Sequence, residues 1–469
     1  MKYIILSILI SILFAYNYNK TAINLFYSGK TRGDLTNFAQ AMYNSSKGRY
    51  MENTFNYSIH NFWGGRDLLI PKNSSIFGIH FNPILTLFIP IYVFFPDPVT
   101  LISIQTYLLC ISSTILFLYL FDKKLVFQAF VGQLLFLTHT ALQSAIYSEF
   151  HAYALGVFFI SIFLYYSEKN GKGTITTILF VLSLLVQENI SLPLFAYCFL
   201  KGIVNKKNRL YYLSLGVISV TYFIFVTKYI IPQLSNYKTY IFESIYGNPL
   251  GQSFIDIIKK SLSNPLLLIK TLITKENITY IWSLTKTGLP YIFSPVTYLP
   301  AIVSVMSSLI SSSTNLRSET MHYESIFVPF LYFSWSNSIV KLNTKMHLIT
   351  IGLIIITIYT LISNQRTINF RLGSKLTETV SIMSEITILK EFIRTDESLS
   401  TQDYLSGYFT NRQELYLFPV YASKSKYVLL SKQDTWPLKK NEQDNEIELL
   451  KTTHNITYDS KNYLLLTKK

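Results

Sequence analysis

Residues 17–82 read NYNKTAINLFYSGKTRGDLTNFAQAMYNSSKGRYMENTFNYSIHNFWGGRDLLIPKNSSIFGIHFN. One apolar run precedes this stretch, YIILSILISILFAY at 3–16, and after it one apolar run follows another as far as residue 363. It is the first place in the chain where polar side chains sit without entering hydrocarbon, and it carries Asp34, Gln40, Arg49, Asp67 and His80. The stretch reads as the first outer loop of a membrane protein and as one wall of a site at the membrane's outer face.

Composition agrees. Half of the 469 residues are hydrophobic, 16% are aromatic and 14% are charged, against about 25% charged in soluble domains. The formal charge of +15 fits a membrane protein, whose Lys and Arg collect in cytoplasmic loops and near anionic headgroups. No basic, aromatic-interleaved patch on a foldable domain points to nucleic acid. Cys110 and Cys198 both fall inside apolar runs and read as packing residues, with no disulfide framework or metal cluster.

The run at 3–16 lacks a small-residue cleavage site and reads as a retained helix. Later runs lie near 81–96, 98–121, 125–146, 152–167, 174–187, 190–204, 210–231, 278–292, 295–311, 324–340 and 346–363. The loops 122–124 (DKK), 168–172 (EKNGK), 201–209 (KGIVNKKNR) and 341–345 (KLNTK) carry basic residues. Those at 96–98 (PDP), 147–151 (YSEFH) and 187–189 (QEN) carry none. Because Lys and Arg are retained in the cytoplasm, the first set is expected inside and the second outside. The run 81–96 is short and holds Pro83 and Pro90, which predicts a re-entrant or half-inserted helix. Residues 254–273 form an amphipathic candidate for the membrane interface.

Beyond the last run charges become frequent and balanced. A helical pattern at 377–394 and strand-like segments at 414–420, 426–431 and 462–467 predict a small α/β domain over 365–469, outside by the same parity. The expectation is an all-α polytopic membrane domain over 1–364, with about 11–13 transmembrane or re-entrant helices, followed by that extracytoplasmic α/β domain.

This topology gathers Asp34, His80, Glu149, His151, Glu188, Arg317, Glu319 and His322 on one face. Ionisable groups at membrane depth are expensive unless paired or wetted, which makes a functional site the default hypothesis. Each has a plainer reading. Asp34 suits a helix N-cap or turn, or a general base. His80 suits a helix start, or a group that binds a phosphate oxygen or orients a carboxylate. Glu149 and His151 do not share a helical face and suit a hydrogen-bonded corner, or a ligand-binding pair. Glu188 suits a loop turn, and His322 a solvated interfacial imidazole. No HExxH spacing supports a metal, and no P-loop, dinucleotide glycine pattern, GxSxG or CxxC is present.

The segments GDLTNFAQAMYNSSKG, FGIHFNPILTLFIPIYVFFPDPVTLISIQ, SEFHAYAL, QEN and MHYESIFVPFLYF resemble domain-of-unknown-function family 2079, microbial membrane proteins regarded as related to the GT-C glycosyltransferases. The family pattern places an Asp at Asp34, a His at His80, an acidic-Phe-His element at Glu149-Phe150-His151 and a His-Tyr pair at His322-Tyr323. This chain departs from it at Ala152-Tyr153, where Pro-Glu is usual, and at Gln187-Glu188-Asn189, where Lys-Glu-Asp is usual. The departures touch the second acidic site and any divalent metal ion more than Asp34.

The resemblance implies a GT-C-like glycosyltransferase that takes sugar from a polyprenyl-phosphate donor to an extracytoplasmic glycan, lipid or protein acceptor, at the outer face of a bacterial cytoplasmic membrane. It further implies Asp34 as the base of a single inverting displacement, with Glu149 and His151 beside it. Arg32, His80, Arg317 and His322 would receive the phosphate, and Gln40 and Glu188 complete the substrate-binding set. Two other classes compete: a transporter or flippase for a lipid-linked or polar solute, and a non-catalytic scaffold acting through 365–469.

Overall fold

The computed structural model describes residues 1–29, 33–64, 74–235, 240, 250–251, 253–312, 314–317, 322–343, 351–352, 354–359, 362 and 380–469. Arg32, Asp67 and Glu319, named above, lie outside the described residues, as does most of the run 346–363.

The first helix, α1 (Lys2–Tyr27), continues well past the end of the apolar run, into the polar stretch. The local chemistry explains this. Asn17 and Thr21 bond back to carbonyls one turn earlier, Asn17 Nδ2 to Leu13 O at 2.8 Å and Thr21 Oγ1 to Asn17 O at 3.1 Å. Tyr18 reaches across to Leu137 O at 3.0 Å. The polar loop proper therefore starts after Tyr27 and is itself helical, as α2 (Gly33–Ser46) and α3 (Phe55–Gly64).

Residues 83–94 form a 3-10 stretch, Pro83–Phe88, and a short helix, α4 (Ile89–Phe94). At about 1.5 Å per residue they are too short to cross a bilayer. Leu87, Ile91, Val93, Phe94 and Phe95 are exposed while Tyr92 is buried, the pattern of a half-inserted segment. Asp97 then caps α5 (Pro98–Asp122), accepting Val99 N–H at 2.8 Å.

Among the described residues, three continuous helical runs are long and apolar enough to span a membrane: Lys2–Tyr27, Pro98–Asp122 and Lys206–Leu234. A fourth arises if α6 (Val126–Leu137) and α7 (Thr140–Ser148), bent by 42°, make one broken span. The shorter helices are α8 (Gly156–Asn170), α9 (Thr174–Leu184) and α10 (Ser191–Val204); α8 packs on both α5 and α9. In the run 206–234, α11 (Arg209–Phe225) passes through a π turn at Val226–Ile230 before α12 (Ile231–Leu234). Pro232 sits at the start of α12; its missing N–H and its ring widen the preceding turn.

A buried hydroxyl and amide cluster ties α1 to α5 and α6: Ser11 Oγ lies 2.8 Å from both Ser113 and Thr114, and Gln133 Nε2 donates to Ser7 O at 2.8 Å. Polar contacts of this kind hold helices together where hydrocarbon offers no hydrophobic gain. Cys110 and Cys198 are free and buried.

The amphipathic segment is two helices, α13 (Phe254–Ser263) and α14 (Pro265–Leu272), broken at Asn264-Pro265. Ile255, Ile258, Leu262, Leu266, Ile269 and Ile273 are exposed along it. After them come α15 (Lys275–Thr285), α16 (Pro295–Ser304), α17 (Met306–Ile310) and α18 (Phe327–Asn343).

The C-terminal unit begins with α19 (Val380–Phe392) and holds a five-stranded sheet in the order β2-β1-β3-β5-β4. Its strands are β1 (Leu399–Thr401), β2 (Leu415–Leu417), β3 (Tyr427–Ser431), β4 (His454–Asp459) and β5 (Tyr463–Lys468). β1 runs parallel to β2 and β3; β5 is antiparallel to β3 and β4.

This unit is fastened to the outer helices. Thr54 Oγ1 donates to Leu415 O at 2.8 Å and accepts Leu415 N–H at 3.0 Å, and Ser58 Oγ accepts Leu417 N–H at 2.7 Å. Four helical residues rise about 6 Å and two strand residues about 6.7 Å, so hydroxyls one turn apart match alternate groups on the outer edge of β2. Further ties run from Tyr408 Oη to Phe26 O at 2.9 Å and from Asn411 Nδ2 to Pro96 O at 2.8 Å.

Candidate active site

Asp34 sits in the first turn of α2. It does not cap that helix; Glu149 does, accepting Leu35 N–H on Oε2 at 3.0 Å from the end of α7. A carboxylate at a helix N-terminus satisfies an orphan donor and complements the dipole, and Asp34 is left facing a cavity. Its side chain is 57% accessible, all the more notable beside His151, which is buried.

The corner holding His151 is set by Gln105, a buried amide within α5. Gln105 Nε2 donates to Ala145 O at 2.9 Å and Glu149 O at 2.6 Å, and its Oε1 accepts His151 N–H at 2.7 Å. That places His151 Nε2 3.1 Å from Asp34 Oδ2. The His151 ring stacks on His322, centroids 3.3 Å apart and planes 17° apart, and Tyr323 lies against His322 at 4.1 Å.

A second cluster faces this one. Glu188 is fully buried and accepts three hydrogen bonds: from Phe81 N–H at 3.0 Å and Tyr240 Oη at 3.0 Å, and from His80 Nδ1 at 2.7 Å. Asn82 Nδ2 donates to Val186 O at 2.8 Å and Gln187 Oε1 at 3.1 Å, and Ile84 N–H to Leu185 O at 3.0 Å. Residues 80–84 are thus laced to 185–188.

Between the two clusters is a cavity of about 320 Å³, walled by Asp34, His80, His151, His322, Tyr323 and Tyr240, by the amides of Asn37, Asn82, Gln187 and Asn189, and by Ser304 and Ser307. Among its described lining residues the basic groups are histidines, with no Lys or Arg. A groove of about 360 Å³ lies on the other side of α16 and α17, lined by Leu272, Ile278, Ile281, Trp282, Ile302, Met306 and Leu309. One helical segment, broken at Val305, thus divides a polar cavity from an apolar groove.

Electrostatics follow from this packing. The protein around the cavity partly desolvates the Asp34 carboxyl and pushes it up, but the hydrogen bond to His151 and the fields of His151, His322 and His80 outweigh this and hold the group at about 2. Burial, and then the neighbouring His151, push His322 well below the usual imidazole value, against the pull of Asp34. Asp34 is accordingly an anion close to a neutral His322 ring.

The structure brings together Asp34, His80, His151, Glu188 and His322. Glu149 stands behind Asp34 as a cap. Two residues are engaged elsewhere. Gln40 is buried, accepting Thr54 and Phe55 N–H on Oε1 at 3.1 Å each and donating to Gln413 O at 2.8 Å. Arg317 donates to Ser308 O at 3.2 Å and Ser311 O at 2.7 Å, and Leu316 lines the cavity in its place. Gln105, Asn37, Asn82 and Tyr240 escaped the sequence reading. A lone Gln inside the apolar run TLISIQTYLL was the available signal, since a buried amide in a span needs partners.

Among the described residues no three His, Cys, Asp or Glu converge as a ligand set for a metal ion. Imidazole lone pairs lie in the ring planes, and the nearly parallel planes of His151 and His322 do not bring theirs to a common point. The described residues do not fit a metal, and no step is assigned to one.

A family model described as a predicted membrane protein (DUF2079) matches residues 30–465. No curated protein matches the chain in sequence. Among solved structures, ArnT from Cupriavidus metallidurans bound to undecaprenyl phosphate aligns with a TM-score of 0.51 at 10% identity, covering 99% of this chain and 98% of that one. The apo state of the same protein aligns at 0.49 and 9% identity, covering 96% and 97%. The likeness to the undecaprenyl-phosphate-bound structure carries the fold, an ArnT-like arrangement of the GT-C type with a small C-terminal sheet domain.

Proposed function

This chain belongs to the DUF2079 family of predicted membrane proteins, and from that premise we propose that it is a membrane glycosyltransferase. It moves a sugar from a polyprenyl-phosphate donor to a glycan, lipid or protein acceptor on the outer side of the membrane. The observation that carries the reading is the pairing of Asp34 with His151 in a cavity that shares one wall with an apolar groove. Headgroup chemistry and a long isoprenoid chain ask for those two spaces side by side. The fold's likeness to ArnT, whose structure holds undecaprenyl phosphate, supports the same donor class.

In this mechanism the acceptor hydroxyl attacks the anomeric carbon as the carbon–phosphate-oxygen bond breaks, and the leaving polyprenyl phosphate takes the bonding pair. Configuration inverts. Asp34 receives the acceptor's proton. A carboxylate held at about 2 is a weak base toward a free alcohol, but the attacking oxygen becomes a strong acid as its bond to carbon forms, and the proton then passes downhill. His80, with Glu188 as its buried partner at 2.7 Å, stands where developing phosphate charge needs a positive donor. Glu149 and Gln105 hold the geometry.

The test is transfer by the purified protein in lipid nanodiscs, using a polyprenyl-phosphate-linked sugar. Asp34→Asn should remain folded and lose transfer by about three orders of magnitude or more. Near-normal transfer by that variant would remove Asp34 from the chemistry. Movement of the lipid-linked sugar across the bilayer without transfer would identify a flippase instead.

A further inference from the structure

Helices α13 and α14 carry one exposed pattern twice. Ile255, Ile258 and Leu262 on the first, and Leu266, Ile269 and Ile273 along the second, are all exposed and fall at i, i+3 and i+7, one face of each helix. Lys259 follows Ile258 and Lys270 follows Ile269, so each lysine flanks its apolar stripe at the same angular offset. Both are exposed, as is Lys275 at the start of α15. The level of this strip is fixed by its neighbours. Asn277 Nδ2 donates to Thr271 O and Leu309 O at 3.0 Å each, which ties the turn after α14 to the end of α17, close to Leu316 in the cavity wall. Seven residues on, about 10 Å along α15, Leu284 O lies 3.0 Å from His139 Nε2 at the bend between α6 and α7. α15 therefore runs inward from the cavity's level, with Trp282 exposed along it, and the strip lies at its outer end.

In water the six apolar side chains of the strip would stay hydrated; in hydrocarbon the lysines would lose their water. The boundary between headgroups and acyl chains meets both needs, with the lysine stems lying along the apolar face and their ammonium groups reaching up. Residues 254–276 hold four lysines against two carboxylates, Asp256 and Glu276. Both carboxylates stand in the first turns of helices, whose N-terminal partial charge they meet. The charge left facing the boundary is positive. We propose that α13 and α14 lie flat in the headgroup layer of the leaflet on the cavity's side and bind anionic phospholipid there through Lys259, Lys270 and Lys275. The apolar groove, lined by Leu272 and Ile278, then opens onto the acyl chains at the end of the strip. The proposal does not depend on the transferase reading.

The test places a fluorophore at Ile258→Cys or at Ser263→Cys, on well-separated sides of α13, in the full-length protein in nanodiscs; Cys110 and Cys198 are buried. Chain-spin-labelled phospholipid should quench the first position more, and a neutral water-soluble quencher the second. At Ile258→Cys, spin-labelled phosphatidylglycerol should be preferred to spin-labelled phosphatidylcholine by about fivefold or more, the contribution of one lysine at an anionic surface. Lys259→Gln, Lys270→Gln and Lys275→Gln combined should bring the two lipids to parity. If that variant does not fold, raising the salt concentration on the protein with its lysines intact should remove the same preference. Equal quenching of the two positions by the water-soluble reagent overturns the seat in the headgroup layer. An Ile258→Cys label shielded from both lipid and aqueous quenchers assigns the face to a protein partner and overturns it too. Parity of the two lipids with the lysines intact, or a preference that survives the triple substitution, overturns the anionic-lipid inference.

Discussion

Asp34 and His322 titrate in the same pocket but load the fold at different pH. The carboxyl lies at about 2 against an ordinary 3.8, so the stability it contributes is complete above 3.8 and is lost as pH falls through about 2. His322 lies well below 6.5. The unfolded chain takes up that proton first, and stability drains away as pH falls below 6.5. Acidification to pH 5 should therefore lower the thermal midpoint of the wild type more than that of His322→Phe. In the proposed mechanism the acid limb of transfer belongs to Asp34. His151→Phe removes the hydrogen bond and the charge that hold the carboxyl down, while burial, which pushes it up, remains. The acid limb of the pH–rate profile should then move up by about one pH unit or more; an unmoved limb would assign it to another group. Asp34, His80 and His151 were legible in sequence because a charge or imidazole beside apolar runs demands an explanation. Gln40 and Arg317 carried the same kind of signal with a different answer. Gln40 reaches the far-off carbonyl of Gln413, and Arg317 turns back to the carbonyls of Ser308 and Ser311 in its own segment; no spacing in the chain announces which carbonyls will be near.

At the scale of elements, α2 and α3 are held between membrane helices and the C-terminal sheet by a few saturated polar groups. Gln40 is the centre of this joint: its amide reaches Thr54, whose hydroxyl in turn closes the edge of β2 at Leu415. Gln40→Ala strips the buried N–H groups of Thr54 and Phe55 of their acceptor, a loss of about 3 kcal/mol. Limited proteolysis of that variant should release a C-terminal fragment that the wild type retains, and the thermal midpoint should fall. Gly33 belongs to the same joint. A Cβ there would run into the Asp403 carboxylate and approach Phe55 and Ile59, so Gly33→Ala should cost transfer by displacing Asp34 while the sheet itself stays folded. The strands β2, β3 and β5 were legible as short apolar runs between charges, and α19 as a helical pattern. The edge-capping of a sheet by Thr54 and Ser58 was not, because it depends on a match of rise between helix and strand that exists only once the two are side by side. The end of α1 was misjudged for a related reason. Asn17 and Thr21 look like loop residues to a hydropathy scan, yet both make the backbone bonds that let a helix carry polar side chains.

For the whole molecule, the decisive pattern is that basic and non-basic helix ends gather at separate places. The basic corners meet one another: Lys169 with Asp122 at 2.7 Å, Lys201 with Glu168 at 2.7 Å, and Gly171 beside Asn208. The non-basic corners meet at the cavity, where 149–151, 187–189 and 80–82 adjoin Asp34. The C-terminal unit fastens to that second group, at Phe26, Thr54 and Pro96. Retention of Lys and Arg on the cytoplasmic side then predicts that the cavity and the sheet domain face outward together. Cysteine labelling tests this directly, because Cys110 and Cys198 are buried and a native background is absent from the signal. In intact cells, with the outer membrane permeabilised where there is one, a membrane-impermeant thiol reagent should modify Ser423→Cys, an exposed position on the sheet domain, and spare Lys172→Cys, an exposed position among the basic corners. Disrupting the cells should expose the second site. Labelling of Lys172→Cys before disruption, with Ser423→Cys protected, would invert the molecule and place the cavity where a periplasmic or extracellular acceptor never reaches it.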